Sequence, residues 1–287
     1  MPDISGHTKL AILLGTPVEH SLSPAIHNTS FRQLGVDAVY LVADIASEAD
    51  LADAVAGARA MGFLGLNVTM PYKTSVIKYL DGLSPAAELM GAVNTIEVRG
   101  NQLIGHNTDG AGLLRSVIEA GFEVAGNPVT VIGAGGAGSA VFTQAALDGA
   151  SDISVFNVRD DFFAATEQRL AELQDRTGVP CTLYDLADEE TLAERVGAST
   201  VVVDATRIGM EPFENQSNVK AEWLHAGQAV VDTVYHPVET LLLTLAKEAG
   251  ATHINGLGML LWQAAIAEEV WLGQQMPVDY IREAVFS

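Results

Sequence analysis

Short β-branched or aliphatic runs alternate with helix-length segments along the whole chain, and no other feature narrows the fold as much. The runs fall at residues 10–14, 39–44, 64–68, 129–132, 153–156, 201–204, 229–232 and 252–254. Strands separated by helices pair in parallel, because a parallel crossover needs roughly a dozen residues, so the alternation predicts an α/β fold. Apolar patterns after Ser23, Pro71, Asp109, Gly135, Asp160, Glu239 and Gly258 read as the helices. The one interruption, residues 92–105, reads as a hairpin turning at residues 99–101. Beyond it, turn-forming Gly121 and Gly126-Asn127-Pro128 lead into a fresh βαβ series. This places a boundary near residue 109. The expectation is an N-terminal α/β domain at 1–109, completed by C-terminal helices at 257–287, and a doubly wound domain at 110–256.

Composition narrows the function. The chain carries 36 acidic against 15 basic side chains, a formal charge of −21, yet 48% of its residues are hydrophobic, so it is not a disordered acidic segment. So few Lys and Arg argue against nucleic acid or an anionic membrane as partner, since counterion release needs clustered cations. The lone Cys181 rules out an intramolecular disulfide framework and fits a reducing compartment. No secretory signal pattern opens the sequence, so the cytoplasm is the expected location. The uncharged stretch 124–147 is long enough to span a membrane, but it contains Pro128 and five glycines and reads better as strand, turn and helix. The seven histidines show no metal-ligand spacing, which predicts no metal site.

The second domain opens with a strand, then Gly133-Ala134-Gly135-Gly136-Ala137-Gly138, then a helix expected over 139–147. Glycines at this spacing make a tight turn, let the backbone approach a pyrophosphate and leave helix-terminal amides to bind it, so the motif predicts a bound dinucleotide. The next strand ends at Asn157-Val158-Arg159-Asp160-Asp161, where the adenosine ribose belongs. An acid there accepts from the 2′-hydroxyl and repels a 2′-phosphate, whereas Arg attracts one. Two acids against one Arg lean toward NAD; Asp160 and Asp161 could instead cap the following helix.

In the first domain, His20-Ser21-Leu22-Ser23-Pro24 reads as a helix start with Ser23 as N-cap, which leaves Ser21 without a structural task. Two hydroxyls on one loop can also face a polyol or carboxylate. Pro71 is expected to start a helix, putting Lys73 in its first turn, where the dipole disfavours a cation by about 0.3–1 kcal/mol and would lower its pKa toward that of a proton shuttle. A solvated surface lysine is the competing reading. Asp109 reads as the N-cap of the next helix, and Asn94 sits at a strand with no evident structural need.

Taken together, Gly15-x-Pro17-x-x-His20-Ser21-Leu22-Ser23-Pro24, Asn67-Val68-Thr69-x-Pro71-x-Lys73, Gly91-Ala92-Val93-Asn94-Thr95, Asn107-Thr108-Asp109-Gly110, the Gly133 turn and Asn255-Gly256-x-Gly258-Met259-Leu260-x-x-Gln263 resemble the shikimate/quinate dehydrogenase family along nearly the whole chain. The resemblance implies a substrate domain with a mostly parallel sheet, a Rossmann domain, and reversible reduction of 3-dehydroshikimate to shikimate. It implies Lys73 and Asp109 as catalytic pair, and Ser21, Ser23, Tyr40, Thr69, Asn94 and Gln263 as holding the substrate. The cofactor residues it implies are Gly133, Ala134, Gly135, Gly136, Ala137, Asn157, Arg159, Asp160, Arg207, Tyr235 and Gly256. Asp109 would raise the Lys73 pKa, against the helix-terminus effect. NADP-specific members usually carry Asn-Arg-Thr after the second Rossmann strand; here Val158 replaces that Arg, and Arg159-Asp160-Asp161-Phe162-Phe163 resembles the branch that accepts NAD. NAD is therefore expected as preferred cofactor, with NADP admitted through Arg159 and Arg207. Quinate stays open as a second or preferred substrate, the assembly as monomer or homodimer, and a non-catalytic dinucleotide sensor as a distant alternative. Since both ligands are anions and the protein is acidic, attraction must be local, and the ligand surface is expected to be an island of positive potential.

Overall fold

The structure, a computed structural model, describes residues 4–286. The chain divides into two units, Met1–Thr108 with Leu261–Ser287, and Asp109–Leu260. Unit 1 begins β1 (Lys9–Gly15), α1 (Ser23–Leu34), β2 (Ala38–Asp44), α2 (Glu48–Met61) and β3 (Gly65–Val68). A 3-10 turn (Ser75–Tyr79), β4 (Gly82–Leu83), α3 (Pro85–Met90), β5 (Thr95–Arg99) and β6 (Gln102–His106) follow. The sheet runs β2-β1-β3-β5-β6-β4; β1 pairs in parallel with β2 and β3, β4 in parallel with β6, and β5 antiparallel with β3 and β6. The antiparallel pairs come from the expected hairpin.

Unit 2 holds α4 (Asp109–Glu119), β7 (Pro128–Ile132), α5 (Gly136–Leu147), β8 (Asp152–Asn157), α6 (Phe163–Thr177), β9 (Cys181–Asp185), α7 (Glu189–Ala198), β10 (Val201–Asp204), β11 (Ala229–Asp232), α8 (Leu241–Glu248) and β12 (Thr252–Ile254). Its six strands are all parallel, in the order β12-β11-β10-β7-β8-β9. This is the doubly wound dinucleotide-binding order, and its switch point, where ligands sit, lies between β7 and β10. β10 and β11 are buried at every position, as strands covered on both faces must be, which is why they read as unbroken apolar runs. The chain passes between the units inside α9 (Gly256–Leu272), and α10 (Val278–Phe286) ends it in unit 1, where Trp271 Nε1 donates to the Ile96 carbonyl at 3.1 Å.

Four expected helix starts change. No helix starts at Pro71: Tyr72 N–H closes a turn on the Thr69 carbonyl, the Lys73 carbonyl accepts from Val93 N–H at 2.8 Å, and the 3-10 turn begins only at Ser75, beyond Lys73. The dipole end expected beside Lys73 is therefore absent. Ser23 is not an N-cap; α1 begins on Ser23 after Leu22, without a side-chain cap. α4 begins on Asp109 itself, and α5 three residues before the expected Ser139. Among the described residues no helix is long and apolar enough to cross a membrane.

Candidate active site

In unit 2 the glycine turn divides its work by position. Gly133, at φ +93, follows β7 and packs on Thr206 and the Ala205 backbone. A side chain at Gly138 would collide with the Gly133 carbonyl, so that glycine lets helix meet turn. A Cβ at Gly135 or Gly136 would meet nothing within 4 Å, and both are exposed. Gly135 is the N-cap of α5 without a side-chain cap, so the turn fits the pyrophosphate the motif implies. Asn157 braces it, its Oδ1 accepting from Ala134 N–H at 3.1 Å, and Ala134 O accepts from Ser139 Oγ at 3.1 Å. Ala137 lies in the first turn of α5.

At the far end of β8, Arg159 Nε donates to Asp185 Oδ2 at 2.7 Å and its guanidinium lies 4.7 Å from the Phe163 ring centroid. Asp160 Oδ1 accepts from Phe162 N–H at 3.0 Å, so it shapes the turn into α6, the alternative left open by its sequence position. Arg207 lies over Phe213 at 5.1 Å, Tyr235 is 49% exposed, and Gly256 presses on the Thr233 backbone, where a Cβ would clash.

Two buried acids that the sequence reading passed over, Asp204 and Asp232, close neighbouring strands in register. Asp204 accepts from the Thr206 amide and hydroxyl and from Asn218, and so fixes the loop that packs on Gly133 and leads to Arg207. Asp232 accepts from Val234 N–H at 2.9 Å and the Thr240 hydroxyl at 2.6 Å, fixing the loop that leads to Tyr235. Burial raises both carboxyls, Asp232 to about 6. The signal for them was an Asp ending each of two otherwise apolar runs.

In unit 1, Tyr40, Asn67, Asn94, Thr95 and Thr108 form one buried network. Tyr40 donates to Asn67 Oδ1 at 2.7 Å, and Asn67 Nδ2 donates to the Asn94 carbonyl and Thr95 Oγ1. Asn94 Oδ1 accepts from Thr108 N–H at 2.9 Å, and its Nδ2 donates to Thr108 Oγ1 at 3.0 Å. Asn94 thus has a structural task that its strand position did not reveal, and Asn67, Thr95 and Thr108 join the candidates as its partners. Tyr40 is fully buried and stacked on His27 at 4.3 Å, with burial pushing its hydroxyl pKa up. It supports Asn67 and Ser23 from behind. Ser21 also has a local task, its Oγ accepting from Ser23 N–H at 3.2 Å.

The Thr69–Lys73 loop is stitched to the same network: Val68 N–H donates to the Asn94 carbonyl at 2.9 Å, and Val93 N–H to the Lys73 carbonyl. Thr69 and Lys73 are half-buried, as are Ser21 and, on α9, Gln263; Ser23 and Asp109 are buried. Lys73 belongs to unit 1, and Asp109 is the first residue of unit 2. No group of three or more potential metal ligands gathers among the described residues.

Residues 13–96 match the family model described as shikimate dehydrogenase substrate binding domain, and residues 256–286 that described as shikimate 5'-dehydrogenase C-terminal domain. Over 284 residues the chain is 47% identical to a shikimate dehydrogenase (NADP(+)) of Listeria monocytogenes serotype 4b, covering 99% of this chain and 97% of that protein. A crystal structure of shikimate 5-dehydrogenase from Listeria monocytogenes with shikimate and NAD has a TM-score of 0.95 at 46% identity, covering 99% of this chain and 98% of that one. A quinate dehydrogenase of Corynebacterium glutamicum with NAD has a TM-score of 0.84 at 30% identity, covering 97% and 99%.

Proposed function

The chain belongs to the shikimate dehydrogenase family, oxidoreductases acting on a CH–OH group, and from that membership we propose that it interconverts shikimate and 3-dehydroshikimate with a nicotinamide dinucleotide. The observation that carries the reading is the unit 1 network that stitches Asn94 and the Thr69–Lys73 loop together. Ser21, Ser23, Thr69, Asn94 and Gln263 hold the substrate carboxylate and hydroxyls. Unit 2 holds the dinucleotide at Gly133–Gly138, with Asn157 bracing the turn and the loops of Arg207, Tyr235 and Gly256 flanking it.

When bound, the nicotinamide supplies or accepts the hydride. A proton must then join or leave the substrate oxygen, and Lys73 carries it: the ammonium donates during ketone reduction and the amine accepts during alcohol oxidation. Asp109 is the second member of the proposed catalytic pair. Gln263 and Asn94, amides that both donate and accept, suit a polyol better than a single charge.

NAD is the preferred dinucleotide and NADP the second. Asp160 and Asp161 set two negative charges beside Arg159, and Arg159 is already paired with Asp185. The Listeria relative bound to NAD shares 46% of its residues with this chain, although the Listeria protein matched in sequence carries NADP(+) in its name. Quinate is the second substrate, a reading favoured by the likeness to the Corynebacterium glutamicum quinate dehydrogenase. The half-buried Cys181 thiol suits the cytoplasm.

Lys73→Ala tests the chemistry. It should lower kcat for shikimate oxidation by about 10²–10⁴-fold while NAD affinity, measured by calorimetry, stays within about twofold. Wild-type turnover in this variant would overturn the role of Lys73, and a wild-type protein inert toward shikimate would overturn the function.

A further inference from the structure

Arg159 is the side chain that would draw a 2′-phosphate, and it is already engaged by a carboxylate on another strand. Asp185 closes β9 and is the register partner of Asn157, so it stands at the carboxyl edge of the sheet beside the strand that feeds residues 158–161. In doubly wound folds the residues after the second strand meet the ribose 2′ position. Here that strand is β8. Arg159 reaches back from it, its Nε on Asp185 Oδ2 and its guanidinium against the Phe163 ring.

We propose that Asp185 is a specificity-determining residue for the dinucleotide: it holds Arg159 against Phe163 and sets a fixed negative charge where a 2′-phosphate would have to enter. This rests on the reading that unit 2 binds the dinucleotide at the Gly133 turn. The carboxylate is built to stay ionised. Its Oδ1 accepts from the Ala187 amide at 2.9 Å, its Oδ2 from Arg159, and both contacts hold its pKa below the usual range. A ribose hydroxyl is indifferent to this arrangement. A 2′-phosphate carries up to two negative charges; it would gain from a free guanidinium and lose from the carboxylate behind it. At about 6 Å in a water-like dielectric, a guanidinium freed to face a divalent phosphate gains on the order of tenfold in affinity, and the carboxylate behind it, farther off, adds less.

The test measures kcat/KM for NAD and for NADP at saturating shikimate in wild type, Asp185→Asn, Arg159→Ala and the double variant. Asp185→Asn should raise the NADP-to-NAD ratio by about tenfold. That gain should shrink to within about threefold when Arg159 is also removed, because the two side chains act as a pair. Asp185→Ser keeps an acceptor for the Ala187 amide and should move the ratio the same way, which guards against a fold defect in the first variant. A ratio unmoved in both single Asp185 variants overturns the proposal, as does a gain undiminished in the double variant. Calorimetric dissociation constants for the two dinucleotides give the same ratio without turnover, so a protein inert toward shikimate would overturn the proposed reaction and still leave the role of Asp185 decided.

Discussion

Buried carboxyls at Asp204 and Asp232 give unit 2 a pH dependence that can be assigned to single residues. Burial raises Asp232 from 3.8 to about 6, more than its bonds from Thr240 and Val234 lower it, and Asp204 adds to the rise. A carboxyl whose folded pKa lies above its unfolded one binds protons more tightly when folded, so stability falls as pH rises through the interval between the two. One pKa unit is worth ~1.36 kcal/mol, so the interval from 3.8 to about 6 costs on the order of 2–3 kcal/mol. Asp232→Asn keeps an acceptor for Val234 and removes the titration. The variant's unfolding free energy in urea, compared with wild type at each pH, should gain by that amount between pH 4 and 7 on going up; parallel curves would contradict the assignment. Such residues are hard to read from sequence, because an Asp that ends an apolar run looks like a turn residue until its burial is known. Tyr40 shows the converse: nothing local in the sequence distinguishes a tyrosine facing a ligand from one buried and stacked on His27. Lys73 and Asp109 were singled out by motif, while the helix invoked to tune Lys73 was not there.

At the scale of elements, α1 and α9 are joined by a buried polar contact between residues far apart in the chain. Glu268 Oε1 lies 2.8 Å from His27 Nδ1, and Ser30 Oγ donates to its Oε2 at 2.5 Å, with His27, Ser30 and Glu268 all 0% exposed. α1 follows the Ser21 loop and α9 carries Gln263, so the contact fixes two helices that the proposed substrate site needs. Replacing Glu268 with Leu leaves His27 and Ser30 without their acceptor and should cost ~3 kcal/mol in urea unfolding, whereas Glu268→Gln should cost about 1 kcal/mol. Equal and small losses would show the contact to be incidental. The strands were legible because buried parallel strands leave apolar runs, and β10, β11 and β12 fall where those runs lie. α2, α3, α7, β4 and β9 were missed for local reasons. α7 is rich in charge with two buried side chains, Leu192 and Val196, and β9 has no fully buried residue. The turn after Pro71 could not be foreseen either, since the bond that replaces the helix comes from Val93, twenty residues on.

For the whole molecule, the strand order of each sheet was beyond sequence, because crossover direction depends on which face each helix covers. The boundary expected near residue 109 rested on a hairpin followed by a new βαβ series, and the units divide between Thr108 and Asp109. The charge of −21 bears on both ligands, which are anions approaching an acidic protein. On the proposed function recruitment rests on local groups, and the structure qualifies the expected positive island: Arg159 is paired with Asp185 and Arg207 lies on Phe213, while α5 begins at the glycine turn without a side-chain cap. The measurement that bears most directly on the account is kcat/KM of the wild-type protein for shikimate and for quinate, each with NAD and with NADP. The account predicts the highest value for shikimate with NAD; a higher value with NADP would contradict the reading of the ribose pocket, and no turnover of shikimate with either would contradict the function itself.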